Sequence, residues 1–232
     1  MPRHTDPPYA RTARPNRKRK HVQTAIVLFD RFTALDAVGP YEVLSRVPGA
    51  ETVFVAERTG PVRNDTGSLA LTADRTLADL PAPDVVVVPG GPGQDAQMDN
   101  ETLLDWLRAA DATSTWTTSV CSGSLLLGAA GLLGGRRATS HWLALDLLNR
   151  YGAEPTGERV VTDGKYVTAA GVSAGIDMGL TLVGRIADDE HAQAVQLLIE
   201  YDPRPPYDAG SPEKAPARLV EEFRTRNRFT LT

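Results

Sequence analysis

Four consecutive valines, Val85–Val88, end abruptly at Pro89-Gly90-Gly91-Pro92-Gly93. A β-branched run with no polar position has no face to offer water. It predicts a central parallel strand buried on both sides. Parallel neighbours need crossovers, usually helices, so the rest of the chain must alternate. It does. Thr24–Phe29 and Thr52–Ala56 read as earlier strands and Thr115–Val120 as a later one. Helices are predicted from Tyr41 to at least Ser45, over Thr102–Ala110 with Leu103, Leu104, Trp106 and Leu107 on its apolar face, and over Gly123–Leu133. Pro61–Thr72 reads as a hairpin at the sheet edge. Further on, Ser140 is a suitable N-cap for a helix to about Tyr151, closed by Gly152. Asp163-Gly164 signals a hairpin between Val160–Thr162 and Tyr166–Ala169. Helices at Ser173–Ile186, Asp188–Glu200 and Leu219–Asn227 complete the reading, the last after an irregular, proline-rich stretch over 203–216. The fold class expected is α/β, a mostly parallel sheet with helices on both faces. No repeat or linker divides residues 21–232, which predicts a single domain.

In such sheets ligands bind beyond the carboxyl ends of the strands. Three candidates fall there. Cys121, the only cysteine of 232 residues, sits between a predicted strand and a predicted helix, with only Ser122, Gly123 and Ser124 for the turn. That is a nucleophile-elbow pattern with cysteine in place of serine. Taken alone, one cysteine reads as a small buried hydrophobe; at an elbow it faces unpaired helix amides that favour the thiolate. Gly90 and Gly91 are either a tight turn or a source of backbone amides for a developing negative charge. PGGPG lacks the G-x-G-x-x-G spacing of a dinucleotide site. Asp36 follows the first strand. It either caps the next helix or serves as an acid/base partner for the thiol.

Composition narrows the function classes. One cysteine builds neither a disulfide framework nor a structural zinc site, and suits a reducing cytoplasm. The four histidines, His4, His21, His141 and His191, show no metal-ligand spacing. His191 reads as solvated and His141 as structural, at the start of a helix. No apolar run approaches the length needed to span a bilayer. Residues 1–20 carry Arg3, Arg11, Arg14, Arg17, Lys18, Arg19 and Lys20 against Asp6. That tail at +6 leaves −10 for the remainder of a chain whose net charge is −4. A disordered tail is expected, and the acidic body argues against nucleic acid as a partner.

Several pieces resemble the ThiJ/PfpI superfamily, related to the class I glutamine amidotransferases, and within it the bacterial isocyanide hydratases. They are LDAVGPYEVL (35–44), VPGG (88–91), TSVCSGSLLLGAAGLLGGRRATSHW (118–142), VVTDGKYVTAAGVSAGIDMGL (160–180) and PPYDAGSP (205–212). The resemblance implies a flavodoxin-like fold and a homodimer, with Cys121 as nucleophile and Asp36 as the acidic residue facing it. Ser122 stands where the hydratases usually carry Thr, and Val172 where a backbone carbonyl approaches the nucleophile. It implies hydration of a small-molecule isocyanide to an N-formamide, with no metal or organic cofactor. The peptidases of the superfamily carry His after the cysteine, where this chain has Ser122. The amidotransferases need a later His-x-Glu, and here His191 is followed by Ala192 and Gln193. Deglycase-type members have Glu at the place of Asp36. The rival readings are a ligand-sensing or redox-sensing domain without turnover, and another cysteine-dependent hydrolase or glyoxalase-type activity. Sensor domains of this kind are followed by a helix-turn-helix region, and the chain's end at Thr232 favours the enzyme reading.

Overall fold

The computed structural model describes residues 21–226. The basic tail over residues 1–20 and the Asn227 end of the last predicted helix lie outside the described residues. The strands are β1 (Val22–Val27), β2 (Ala50–Ala56), β3 (Gly60–Arg63), β4 (Ala70–Ala73), β5 (Arg75–Thr76), β6 (Val85–Val88), β7 (Trp116–Val120), β8 (Arg137–Ala138), β9 (Glu154–Pro155), β10 (Val160–Asp163) and β11 (Tyr166–Ala169). The helices are α1 (Ala34–Leu44), α2 (Gln94–Gln97), α3 (Glu101–Thr113), α4 (Gly123–Ala129), α5 (Ala174–Ile186), α6 (Asp189–Leu198) and α7 (Ala217–Thr225).

Seven strands form the main sheet in the order β10-β11-β7-β6-β1-β2-β5. Every neighbouring pair is parallel except β10 with β11. The four valines of β6 are buried between β1 and β7, as their composition demands. Strand β7 is as deeply buried although its middle reads Thr-Thr-Ser. The two threonines are accommodated because Thr118 donates to the Val86 carbonyl at 2.8 Å and Thr117 to Asp111 at 2.6 Å, while the buried Ser119 hydroxyl has no hydrogen-bond partner among the described residues. Helices α1 and α5 pack on each other, as do α3 and α4. Helix α1 meets β1, β2 and β6, α5 meets β7 and β11, and α4 meets β6 and β7, so helices surround the sheet. The parallel order β7-β6-β1 sets the carboxyl ends of these three strands side by side. The segments after them carry Cys121, Gly90-Gly91 and, in the first turn of α1, Asp36.

Four expectations need correction. Helix α1 starts at Ala34, not after Gly39-Pro40, so Asp36 lies inside its first turn rather than in a loop before it. Gly39 and Pro40 break helices locally, but here both are buried against α5, where Gly39 stands close to Ile176 and Pro40 close to Gly175. Packing outweighs propensity. The hairpin at 61–72 forms as β3 and β4 but is a separate two-stranded sheet, and the edge of the main sheet is taken by β5. Helix α4 ends at Ala129 rather than Leu133, where Gly131 takes a left-handed φ of 80°. Ser140 caps no helix: its hydroxyl donates to the Cys121 carbonyl at 3.1 Å, and a 3₁₀ turn occupies only Leu145–Tyr151. His141 therefore precedes that turn rather than starting a helix.

Candidate active site

Cys121 follows β7 directly and takes a φ of 59°, a left-handed conformation that costs a side-chain-bearing residue energy. The surroundings hold it there. Its N–H donates to the carbonyls of Ala169 and Ala170, both at 3.0 Å. Its own carbonyl accepts from Ser124 Oγ at 3.2 Å and from Ser140 Oγ at 3.1 Å. The chain turns at Cys121 and Ser122, and α4 begins at Gly123. This is the elbow expected from the sequence, with Cys121 7 % exposed.

Asp36 reaches the same place from α1 and is fully buried. Its Oδ2 accepts the Gly90 N–H at 2.8 Å, and its Oδ1 has no hydrogen-bond partner among the described residues. Burial pushes its pKa from an ordinary 3.8 up to about 7. The Gly90 amide and a hydrogen bond with the Cys121 side chain pull the other way, and the charge of Asp65 adds to the rise. A carboxyl group so placed exchanges a proton near neutral pH. No helix cap is formed by Asp36; the N-cap position belongs to Thr33.

Gly90 joins the two. A Cβ there would stand 2.6 Å from the Ser122 nitrogen, 2.7 Å from Ser122 Oγ and 3.0 Å from Cys121 Cβ. The elbow thus lies directly on the PGG turn, which only glycine permits. The Gly91 N–H donates to Ser122 Oγ at 3.2 Å, so the buried Ser122 hydroxyl ties the elbow to the turn. In this arrangement the Gly90 amide serves the acid and the Gly91 amide serves Ser122. Val172 lies in the turn from β11 into α5, two residues beyond Ala170, with a φ of 31°. Its carbonyl accepts from the Gly175 N–H at 3.3 Å. Beside it, Gly171 abuts the His141 ring. His191 is remote from this cluster, exposed, with Nδ1 2.8 Å from Asp188. Among the described residues no group of three or more His, Cys, Asp or Glu is arranged to hold a metal ion, and no helix is long and apolar enough to cross a membrane.

The sequence missed Asp65. It sits in the turn between β3 and β4, a stretch whose alternation shows a hairpin but not what the hairpin touches. Asp65 Oδ2 accepts from Thr33 Oγ1 at 2.9 Å, three residues before Asp36.

Comparison with known proteins adds the following. Residues 22–185 match the model of the DJ-1/PfpI family. The chain is 46 % identical over 205 residues to an isonitrile hydratase of Pseudomonas putida, covering 88 % of this chain and 90 % of that protein. It is 34 % identical over 128 residues to the HTH-type transcriptional regulator CdhR of Pseudomonas aeruginosa, covering 54 % of this chain but only 38 % of the regulator. Among solved structures, a ThiJ/PfpI family protein from Pseudomonas syringae superposes with a TM-score of 0.87 at 38 % identity, covering 94 % of this chain and 93 % of that one. The flavodoxin-like α/β fold expected from the resemblance is thereby shown.

Proposed function

The chain belongs to the DJ-1/PfpI family, and from that premise we propose that it is an isocyanide hydratase, converting R–NC and water to R–NH–CHO. The observation that carries the reading is the pairing of Cys121, strained at its elbow, with a fully buried Asp36 whose pKa is raised to about 7. The similarity to an isonitrile hydratase over most of both chains supports it.

An isocyanide carbon must accept both a nucleophile and a proton. Cys121 thiolate attacks that carbon while protonated Asp36 delivers its proton to the same atom. A C–S bond forms, and the product is a thioimidate, S–CH=N–R, beside the Asp36 carboxylate. The carboxylate then takes a proton from water as the hydroxyl adds to the carbon, and passes that proton to nitrogen. In the last step the hydroxyl proton returns to Asp36 and the C–S bond breaks with its electrons on sulfur. N-formamide leaves, and thiolate and carboxylic acid are restored. Covalent attack divides one difficult hydration into easier steps, and one carboxyl serves as acid and base in turn. Ser122 and Gly91 fix the elbow against the turn and Gly90 holds the carboxyl, while the Val172 carbonyl is assigned the place beside the nucleophile that the resemblance implies. The oxyanion and substrate-binding roles expected of Gly90, Gly91 and Val172 remain part of this proposal.

The test is to incubate the protein with an alkyl isocyanide and follow N-formamide by mass spectrometry. Turnover by the wild type and none by a folded Cys121→Ala protein is the expected result. Wild-type turnover by Cys121→Ala would remove the nucleophile assignment. A homodimer and a cytoplasmic location belong to the same proposal. Leu197, Leu198, Tyr207 and Phe223 are exposed and offer apolar surface to a second copy. A monomer by sedimentation at micromolar concentration would end that part.

A further inference from the structure

We propose that the turn over residues 64–69, between β3 and β4, belongs to the reacting apparatus, and that Asp65 is a positioning residue that anchors Asp36 through Thr33 and keeps a negative charge behind it. The inference rests on the reading of Asp36 as acid and base, and extends it to a segment 29 residues further along the chain.

The geometry starts with the turn itself. Asn64 is buried and organises it: its N–H donates to the Leu69 carbonyl at 2.9 Å, and its Oδ1 accepts from the Leu69 N–H at 3.1 Å. Its Nδ2 donates to Asp65 Oδ1 at 3.1 Å. Thr66 N–H donates to the same oxygen at 2.9 Å. With Oδ1 held from its own turn, Asp65 Oδ2 is left to accept from Thr33 Oγ1 at 2.9 Å. The turn is also stitched to the β1–α1 loop by backbone. Arg31 N–H donates to the Arg63 carbonyl at 2.8 Å, and Asp65 N–H to the Phe32 carbonyl at 2.9 Å. Arg31 takes a φ of 62°, so this loop needs support from outside.

Thr33 then passes the constraint to the acid in two ways. Its carbonyl accepts the Asp36 N–H at 3.1 Å, which fixes the first turn of α1. Its N–H donates to the Gly90 carbonyl at 2.9 Å, and Gly90 in turn donates its own N–H to Asp36 Oδ2. Three hydrogen bonds join the hairpin to the β1–α1 loop, and three more run from Thr33 to the buried Asp36. A stretch that serves only as a decoration of the sheet edge has no need of this many contacts to one loop.

The charge of Asp65 acts in the same direction as burial, holding a proton on Asp36. The groups acting on Asp36 are the Gly90 amide, the Cys121 side chain and Asp65. Arg31 of the β1–α1 loop and Arg63, whose Nη1 donates to the Gly67 carbonyl of the turn at 2.9 Å, are the cations nearest in the chain to the Asp65–Thr33 contact. Glu42 of α1 pairs with Arg46, Asp177 of α5 with Arg159, and Arg185 of α5 lies over Trp116.

The experiment reads the Asp36 carboxyl directly, without substrate. ¹³C-labelled aspartate resonances are titrated in the full chain, with Asp36 assigned by the signal lost in Asp36→Asn. The wild-type midpoint is expected near 7. Asp65→Asn keeps the shape and loses the charge, so its midpoint should fall by more than about 0.3 pH unit, a twofold change in the ionisation constant. Asp65→Glu disturbs the turn but keeps the charge, so its midpoint should stay closer to the wild type than that of Asp65→Asn. The alkaline limb of formamide production should move down in step in Asp65→Asn, because the first step needs Asp36 protonated. Melting temperatures check that each variant is folded. An unchanged midpoint in folded Asp65→Asn, or an equal fall in Asp65→Glu, would overturn the proposal. If the midpoints move as stated and the wild type makes no formamide, the hydratase reading fails and the positioning role stands.

Discussion

A carboxyl group sealed from water, with only the Gly90 amide and the Cys121 side chain to favour its charged form, is a poor place for a charge. That single residue sets the chemistry proposed for Cys121, and it also carries a consequence for stability. The folded-state pKa of Asp36 is raised from 3.8 to about 7. Between those values the unfolded chain releases the proton and the folded chain keeps it. The folded state then binds more protons, so its stability falls as pH rises through this window and levels off above about 7. A gap of about three pH units at about 1.36 kcal/mol each bounds the loss at about 4 kcal/mol. Asp36→Asn has no proton to lose. The sequence reading of Asp36 as a helix cap allows Asn in its place with little change at any pH. The buried position changes that expectation: the melting temperature of Asp36→Asn relative to the wild type should climb from pH 4 to pH 8. Thermal melts at the two ends of the range measure it. An offset that is the same at both would mean that the wild-type carboxyl is not held protonated.

At the scale of elements, the site is three loop-to-helix transitions pressed together, and Gly90 is where they touch. A methyl group there meets the Ser122 backbone nitrogen at 2.6 Å as well as the Cys121 side chain, so no rotamer change relieves it. Gly90→Ala should cost about 1–3 kcal/mol of stability. It should also displace the thiol from the carboxyl, with a loss of formamide production on the order of 10²-fold. Gly157→Ala, where nothing stands within 4 Å of an added Cβ, is the matched control. Melting and turnover like the wild type in Gly90→Ala would show that the turn and elbow are not in contact. The ends of β6 and β7, the PGG turn and the elbow were legible in the sequence because their signals are local: a valine run cut off by proline and glycine, and a cysteine between strand and helix patterns. The start of α1 was not legible. Gly39-Pro40 is a local stop signal overruled by packing on α5, a partner more than a hundred residues away. Asp65 was not legible either, since period-two alternation shows that a hairpin forms but not where it docks.

At the scale of the molecule, Asp36, Gly90 and Cys121 are far apart in the chain and meet because β1, β6 and β7 are adjacent and parallel. Alternating strands and helices made the parallel sheet legible, and the rule that ligands bind at strand carboxyl ends gathered the three candidates before any contact was known. The order of the strands, which turns gathering into contact, is set by tertiary packing and is written in no single segment. The role of each meeting residue is what now needs measuring, and the sharpest claim is that Asp36 supplies the proton to the carbon bonded by Cys121. The most direct measurement is the rate of N-formamide production from an alkyl isocyanide near pH 7 by Asp36→Asn, in protein shown by melting to be folded and by iodoacetamide to retain a reactive Cys121. Asn preserves the shape and cannot give and take the proton, so a fall of about 10²–10⁴-fold is expected; a folded Asp36→Asn protein working at the wild-type rate would contradict it.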